Sequence, residues 1–198
     1  MLKYLATSFI LLISVSLFAQ DNNWKLEREK NGIRIFTRKG SSMKDSKAEL
    51  FVKSSPQEIV EAFKKIDGHN NWMHRIVTCE LIKKMSENEF VVYYVAHAPW
   101  PVSNRDIVAH YTIKKFPNGN YTIYAQGKSD LVPEKSGLVR IKRLSATWDL
   151  ERQADGTTKI TYITSSEPGG TVPEWLTNSS ATETPYQTVL SLKLIVEK

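Results

Sequence analysis

A chain of 198 residues is long enough to bury one substantial core with a cavity inside it, and too short for two comfortable domains. Hydrophobic residues at 41% and charged residues at 24% exclude disorder, a coiled coil and a polytopic membrane protein. The formal charge of +6 is spread without a long Lys/Arg run and without a recognition motif, so nucleic acid is not an expected partner.

The first residues carry one early lysine, an apolar run from Leu5 to Phe18, and Ala19 as a small residue before a polar stretch. This pattern predicts a secretory signal peptide over 1–19 and an exported mature protein, periplasmic or extracellular. The run is shorter than the roughly 20 residues of a spanning helix. No cysteine stands at the cleavage point to carry a lipid anchor. Residues 20–198 are then a single domain. Cys79 is the one cysteine, so no internal disulfide forms, and its apolar-alternating surroundings predict a buried, inert thiol.

After Trp24 and Leu26 the charged lead reads as helical, and Gly32 to Arg38 alternates as a first strand. Asp45 to Lys53 makes the second strand. Ser54-Ser55-Pro56-Gln57-Glu58 is a helix start, with a capping serine, a proline suited to the first turn and an early glutamate. The helix is predicted over 56–66, its stripe of Ile59, Val60, Ala62, Phe63 and Ile66 lying on a sheet. His69 to Arg75 follows as a short turn or helical piece that places Trp72 and Met73.

Strands are then predicted over 76–84 and 89–97, joined around Ser86-Glu87-Asn88. Pro99 and Pro101 deny N–H groups to a ladder, so a strand ends near Ala98 and a sharp turn follows. The next strand spans 105–115. Arg105, Ile107, Ala109, Tyr111 and Ile113 share one face, and Asp106, Val108, His110, Thr112 and Lys114 the other. A mainly apolar face thus begins with an arginine. Pro117 to Asn120 turns the chain into a strand over 121–126. Gly127 to Gly137 is a polar loop whose apolar tip, Leu131, Val132 and Pro133, reads as a packed anchor, with a gate as the alternative. A long strand over 138–151 changes phase midway, which predicts a β-bulge near Lys142-Arg143. Asp155-Gly156 leads to a last strand over 158–165. Thr171-Val172-Pro173-Glu174 fits a capping box for a closing helix over 172–196, kinked or interrupted at Pro185. The order is α+β, with a terminal helix gripped by a curved antiparallel sheet.

Three stretches carry a resemblance: Trp-Pro-Val-Ser-Asn-Arg-Asp-Ile-Val over 100–108, Val-Pro-Glu-Lys-Ser-Gly-Leu-Val-Arg over 132–140, and Glu-Pro-Gly-Gly-Thr-Val-Pro-Glu-Trp over 167–175. In this combination and order the chain resembles the START family of lipid-transfer domains, over almost the whole mature chain. The resemblance implies the helix-grip fold and an internal tunnel for a sterol, phospholipid or other hydrophobic molecule. It also implies that the loop over 127–137 and the closing helix govern access to the tunnel. Export is a departure, because many members of the family are intracellular.

Binding an apolar ligand needs large side chains for walls and a few polar groups to orient it. Among the tyrosines and tryptophans that could serve, which include Tyr93 and Tyr124, the expected ligand-binding set is Trp72, Tyr94, Tyr111, Trp148, Tyr162, Trp175 and Tyr186, with Ile107 and with Arg105 as polar anchor. An inward Arg105 must meet a buried carboxylate or a polar ligand group, and Asp106 alternates away from it. No cofactor and no metal are expected, since His69, His74, His97 and His110 lack metal-ligand spacing. No nucleophile motif or phosphate loop is present. The related cyclase and aromatase enzymes of the wider superfamily supply the alternative, acid/base chemistry on a hydrophobic substrate. His97 or His110 inside the cavity beside Arg105 would favour it, a purely aliphatic and aromatic lining would favour carriage, and a collapsed cavity would favour a structural role. A monomer is expected. Its basic surface reads as a solvated face, with transient contact to an anionic membrane as the alternative.

Overall fold

The computed structural model describes residues 23–40 and 44–198, and the signal peptide expected over 1–19 lies outside them. The chain opens with three strands, β1 (Lys25–Lys30), β2 (Ile33–Lys39) and β3 (Lys44–Val52). The lead expected to be helical is therefore a strand. Its local signal was Asn31-Gly32, both at positive φ (54° and 71°), a pair suited to a tight hairpin that returns β1 onto β2.

Helix α1 (Pro56–Lys64) starts as expected: the Ser55 hydroxyl accepts from the Glu58 N–H, and the Glu58 carboxylate accepts from the Ser55 N–H at 2.7 Å. It ends two residues earlier than the periodicity predicts and gives way to a 3-10 turn, Ile66–Asn71. Ile59, Val60 and Phe63 are fully buried, with the Phe63 ring edge-on to Trp72 and Trp148. The short helix thereby seals one part of the core.

The strands that follow are β4 (Ile76–Ser86), β5 (Glu89–Ala96), β6 (Arg105–Lys115) and β7 (Tyr121–Gly127). After them come the two-residue β8 (Val139–Arg140), then β9 (Arg143–Arg152) and β10 (Thr158–Glu167). Their order in the sheet is β1-β2-β3-β10-β9-β7-β6-β5-β4, with every neighbouring pair antiparallel, and β8 joins β6 in parallel off this path. The phase change expected as a bulge near Lys142-Arg143 is instead a change of partner. Val139 and Arg140 pair with Arg105 and Asp106 of β6, whereas β9 pairs with β7 and β10.

What holds β8 there is electrostatic. Arg140 donates to both carboxylate oxygens of Asp106 (2.9 and 2.8 Å) and to the backbone oxygens of Ser129, Val132 and Pro133. Both charged side chains are almost fully buried, and the Tyr93 hydroxyl also donates to Asp106. Burial pushes the Asp106 carboxyl upward, but the Arg140 hydrogen bonds and charge outweigh it and leave the group below its usual range. The loop over 127–137 is thus tied down at its apolar tip. Val132 packs against Val91, Tyr93 and Val108 on the face opposite the main core, while Leu131 is exposed. Gly169 (φ 63°) passes directly over this arrangement, where a Cβ would come within 2.9 Å of the Arg140 carbonyl oxygen.

Helix α2 (Glu174–Val196) closes the fold against β2 and β3. It starts two residues later than expected. The capping box does not form, because Pro173 holds the cap position and makes no side-chain cap bond. Pro185 lies within the helix and has no N–H to give the Ala181 carbonyl, and the buried Ser46 hydroxyl of β3 supplies that bond at 2.6 Å. Cys79 is a free thiol packed on the core edge, half-buried rather than buried.

Asp106→Ala leaves the Arg140 guanidinium buried with two unmatched donors. It is expected to lower unfolding stability by about 3–5 kcal/mol. Urea melts of wild type, Asp106→Ala and Asp106→Ala/Arg140→Met check this, the double variant recovering part of the loss.

Candidate functional site

Alternation on β6 sends Arg105, Ile107, Ala109 and Tyr111 to the concave face, where α2 lies across the sheet and a cavity of about 270 Å³ remains between them. Tyr94 sits opposite Ile107 in the β5–β6 ladder, and Tyr162 opposite Trp148 in the β9–β10 ladder. The Tyr162 and Trp148 rings stack with centroids 3.8 Å apart. All of these side chains line the cavity. Its volume is just below the roughly 300–1,000 Å³ of drug-sized sites, which suits a slender ligand.

Of the residues expected to contact a ligand, Arg105, Tyr94, Ile107, Tyr111, Trp148 and Tyr162 come together around this space, and Trp72, Trp175 and Tyr186 do not line it. Trp72 is buried one layer behind, against Phe63 and His69, its indole N–H without a partner among the described residues. Trp175 is 58% exposed. Tyr186 is buried on the other side of α2, accepting from Asn31 and lying under the Arg28 guanidinium. Tyr93 belongs to the opposite face with Asp106, and Tyr124 is exposed. Alternation and aromaticity choose a face, but they do not say what the helix covers.

Arg105 is buried, yet it meets no carboxylate within ion-pairing distance among the described residues. Its guanidinium donates to the backbone oxygens of Ser103, Pro168 (3.3 Å) and Gly169 (3.4 Å). Burial pushes its pKa down, but a guanidinium stays charged in a protein. Of the two partners expected for it, a buried carboxylate or a polar ligand group, the carboxylate is not found among the described residues; the neighbouring Asp106 is spent on Arg140 on the opposite face. The cation is held by dipoles alone beside the cavity.

At the Tyr111 end the lining is polar in a different way. His69, fully buried, places Nε2 at 2.8 Å from the Phe63 carbonyl oxygen and Nδ1 at 2.7 Å from the Tyr94 hydroxyl, which lies 3.1 Å from the Tyr111 hydroxyl. Burial pushes the His69 pKa down to about 4, so the ring is neutral at pH 7. It also pushes the Tyr94 and Tyr111 phenols well above their usual range, and both stay protonated.

The START domain family model matches residues 15–187. The chain belongs to the START family. An uncharacterized protein of Pseudomonas aeruginosa is 29% identical over 89% of this chain and 88% of its own. Phosphatidylcholine transfer protein of Mus musculus is 28% identical over 80% of this chain and 77% of its own. The crystal structure of the STAR-related lipid transfer protein of Xanthomonas axonopodis superposes with a TM-score of 0.82 at 32% identity, covering 89% of this chain and 100% of that one. Human StAR-related lipid transfer protein 5, at 17% identity and TM-score 0.74, shares the fold.

Within this START domain, the cavity also takes residues that sequence reasoning did not select. Met73, His74 and Arg75 reach it from the segment before β4. His97, whose presence in the cavity with Arg105 is the expected mark of the enzyme alternative, does line it, from the turn after β5. Thr177, Ser180, Thr184 and Thr188 line it from α2. Their spacing of three and four residues puts these hydroxyls on one helix face, a pattern legible in the sequence once the helix is known to cover a cavity. His110 lies elsewhere, its Nε2 3.0 Å from Glu89.

A histidine whose pKa is depressed on folding leaves the unfolded state binding more protons between the two values. Stability from His69 is therefore present above about pH 6.5 and lost as pH falls toward about 4, a difference on the order of 3 kcal/mol. Urea unfolding of wild type and His69→Gln from pH 7 to 4 checks it: the wild-type curve should fall more steeply, and parallel curves would contradict it.

Proposed function

We propose that this START domain binds a lipid or other slender hydrophobic molecule in the cavity between sheet and α2, and moves it without covalent chemistry. The observation that carries the reading is the cavity itself, in which aromatic and aliphatic side chains stand beside the α2 hydroxyls, His74, Arg75, His97 and the Arg105 cation held on backbone oxygens. Arg105 then serves as anchor for an acceptor or anionic group of the ligand. The names of relatives point the same way, since phosphatidylcholine and ceramide transfer proteins of Mus musculus are among them. For the ceramide protein the match spans only 28% of the relative, so its further activities are not carried over.

The leader pattern over 1–19 supports export, and the protein would then work as a monomer outside the cytoplasm. Trp100, 91% exposed, and Trp175 stand two residues from Ala98 and one from Leu176, which line the cavity. Exposed tryptophans there suit brief contact with a membrane surface while the ligand passes. His74 and His97 in the lining support the second reading, acid/base catalysis on a hydrophobic substrate.

Native mass spectrometry of the mature protein, followed by lipid extraction, separates these. A carrier yields one hydrophobic ligand per monomer, recovered chemically unchanged. Ser180→Trp, which fills the cavity from α2, is expected to cut ligand occupancy at least tenfold while the thermal midpoint stays within a few degrees. Failure of any lipid to co-purify or bind from a broad panel sinks the carrier reading, and conversion of a bound molecule would establish the enzyme.

A further inference from the structure

The row His69, Tyr94 and Tyr111 has a direction that follows from counting protons. The Phe63 carbonyl can only accept, so the proton of His69 sits on Nε2. In the neutral ring Nδ1 is then a lone pair, and the Tyr94 hydroxyl at 2.7 Å must donate to it. Tyr94 has no second proton. The phenol oxygens of Tyr94 and Tyr111 lie 3.1 Å apart, and since Tyr94 has no proton left for this contact, the proton count assigns it to Tyr111, donating to the Tyr94 oxygen. With its one proton committed, Tyr111 turns only oxygen lone pairs toward the cavity that it lines.

Building on the carrier reading, we infer that the cavity selects ligands whose buried polar group is a hydrogen-bond donor, a hydroxyl above all, received by the oxygen of Tyr111. A ketone or ester carbonyl has no proton for that oxygen, and to accept from Tyr111 it would have to break the bond to Tyr94. Tyr162, stacked on Trp148, lines the same cavity. A ligand hydroxyl can accept from Tyr162 and donate to Tyr111, whereas a carbonyl can only accept. Arg105 donates only, and lies six residues along β6 from Tyr111, roughly 20 Å at about 3.3 Å per residue. The two ends of the cavity therefore ask for opposite chemistry: an acceptor beside Arg105 and a donor beside Tyr111.

The test is a competition between hexadecan-2-ol and hexadecan-2-one, which share one carbon skeleton, for delipidated protein, with bound ligand extracted and quantified by gas chromatography. Wild type should retain the alcohol about five- to tenfold over the ketone. Tyr111→Phe, which removes the acceptor, should bring the ratio close to one. Tyr94→Phe frees the Tyr111 proton and should bring the ratio to one or below, and it decides the matter should Tyr111→Phe not fold. Equal retention by wild type overturns the donor requirement and leaves the carrier reading standing. A preference that survives Tyr111→Phe overturns it too. Retention of neither compound, nor of any lipid, overturns both.

Discussion

The buried Asp106–Arg140 pair is the interaction on which the rest of the architecture depends. Two charges taken out of water cost several kcal/mol each unless every polar atom is met. Here two carboxylate oxygens, three loop carbonyls and a tyrosine hydroxyl meet them. The arrangement can be satisfied only when β8 lies beside β6 and the loop over 127–137 folds back on the convex face. It consequently sets the register of Asp106. Because adjacent residues on a strand point to opposite faces, fixing Asp106 on one side delivers Arg105 to the other. The charge beside the cavity is a geometric consequence of the charge pair behind the sheet.

The cavity exists because α2 approaches the sheet with a face that does not fill the space. Thr177, Ser180, Thr184 and Thr188 are short and hydroxylated where an ordinary core helix would carry leucines. The helix is secured elsewhere, by Tyr186, Val189 and Leu192 in the core and by Ser46 completing the carbonyl that Pro185 leaves open. Packing strength and ligand space are thus divided between different faces and different lengths of one helix. That division lets one helix both cover the cavity and belong to the fold.

The two polar ends of the cavity are built on different principles. Arg105 is a permanent donor held by carbonyl dipoles, so its preference for an acceptor does not depend on proton positions. Tyr111 is an acceptor only because a neutral histidine two residues further along the row takes the Tyr94 proton. Its character is inherited from a buried backbone carbonyl at the end of α1. Such a row gives the binding site an orientation as well as a shape.

The order of the elements other than β1 and β8, the inward face of β6, the capping box at Ser55 and the α+β class were legible in the sequence, because periodicity and turn chemistry are local properties. So was the family, carried by three short motifs. The strand β1 was missed because its charged residues outweighed the Asn31-Gly32 turn, and β8 was hidden because Val139 and Ile141 continue the alternation of a longer strand. Among the ligand candidates, Trp72, Trp175 and Tyr186 shared composition with the true lining but not its position. Tertiary structure alone decided what stands opposite each side chain: carbonyls from Ser103, Pro168 and Gly169 around Arg105, Arg140 for Asp106, and His69 behind the two phenols. Alternation assigns a face from the chain's own geometry. Partners and cavity volume come largely from other segments, 25 residues away for His69 and Tyr94, 34 for Asp106 and Arg140 and 64 for Arg105 and Gly169, and only the folded chain brings them together.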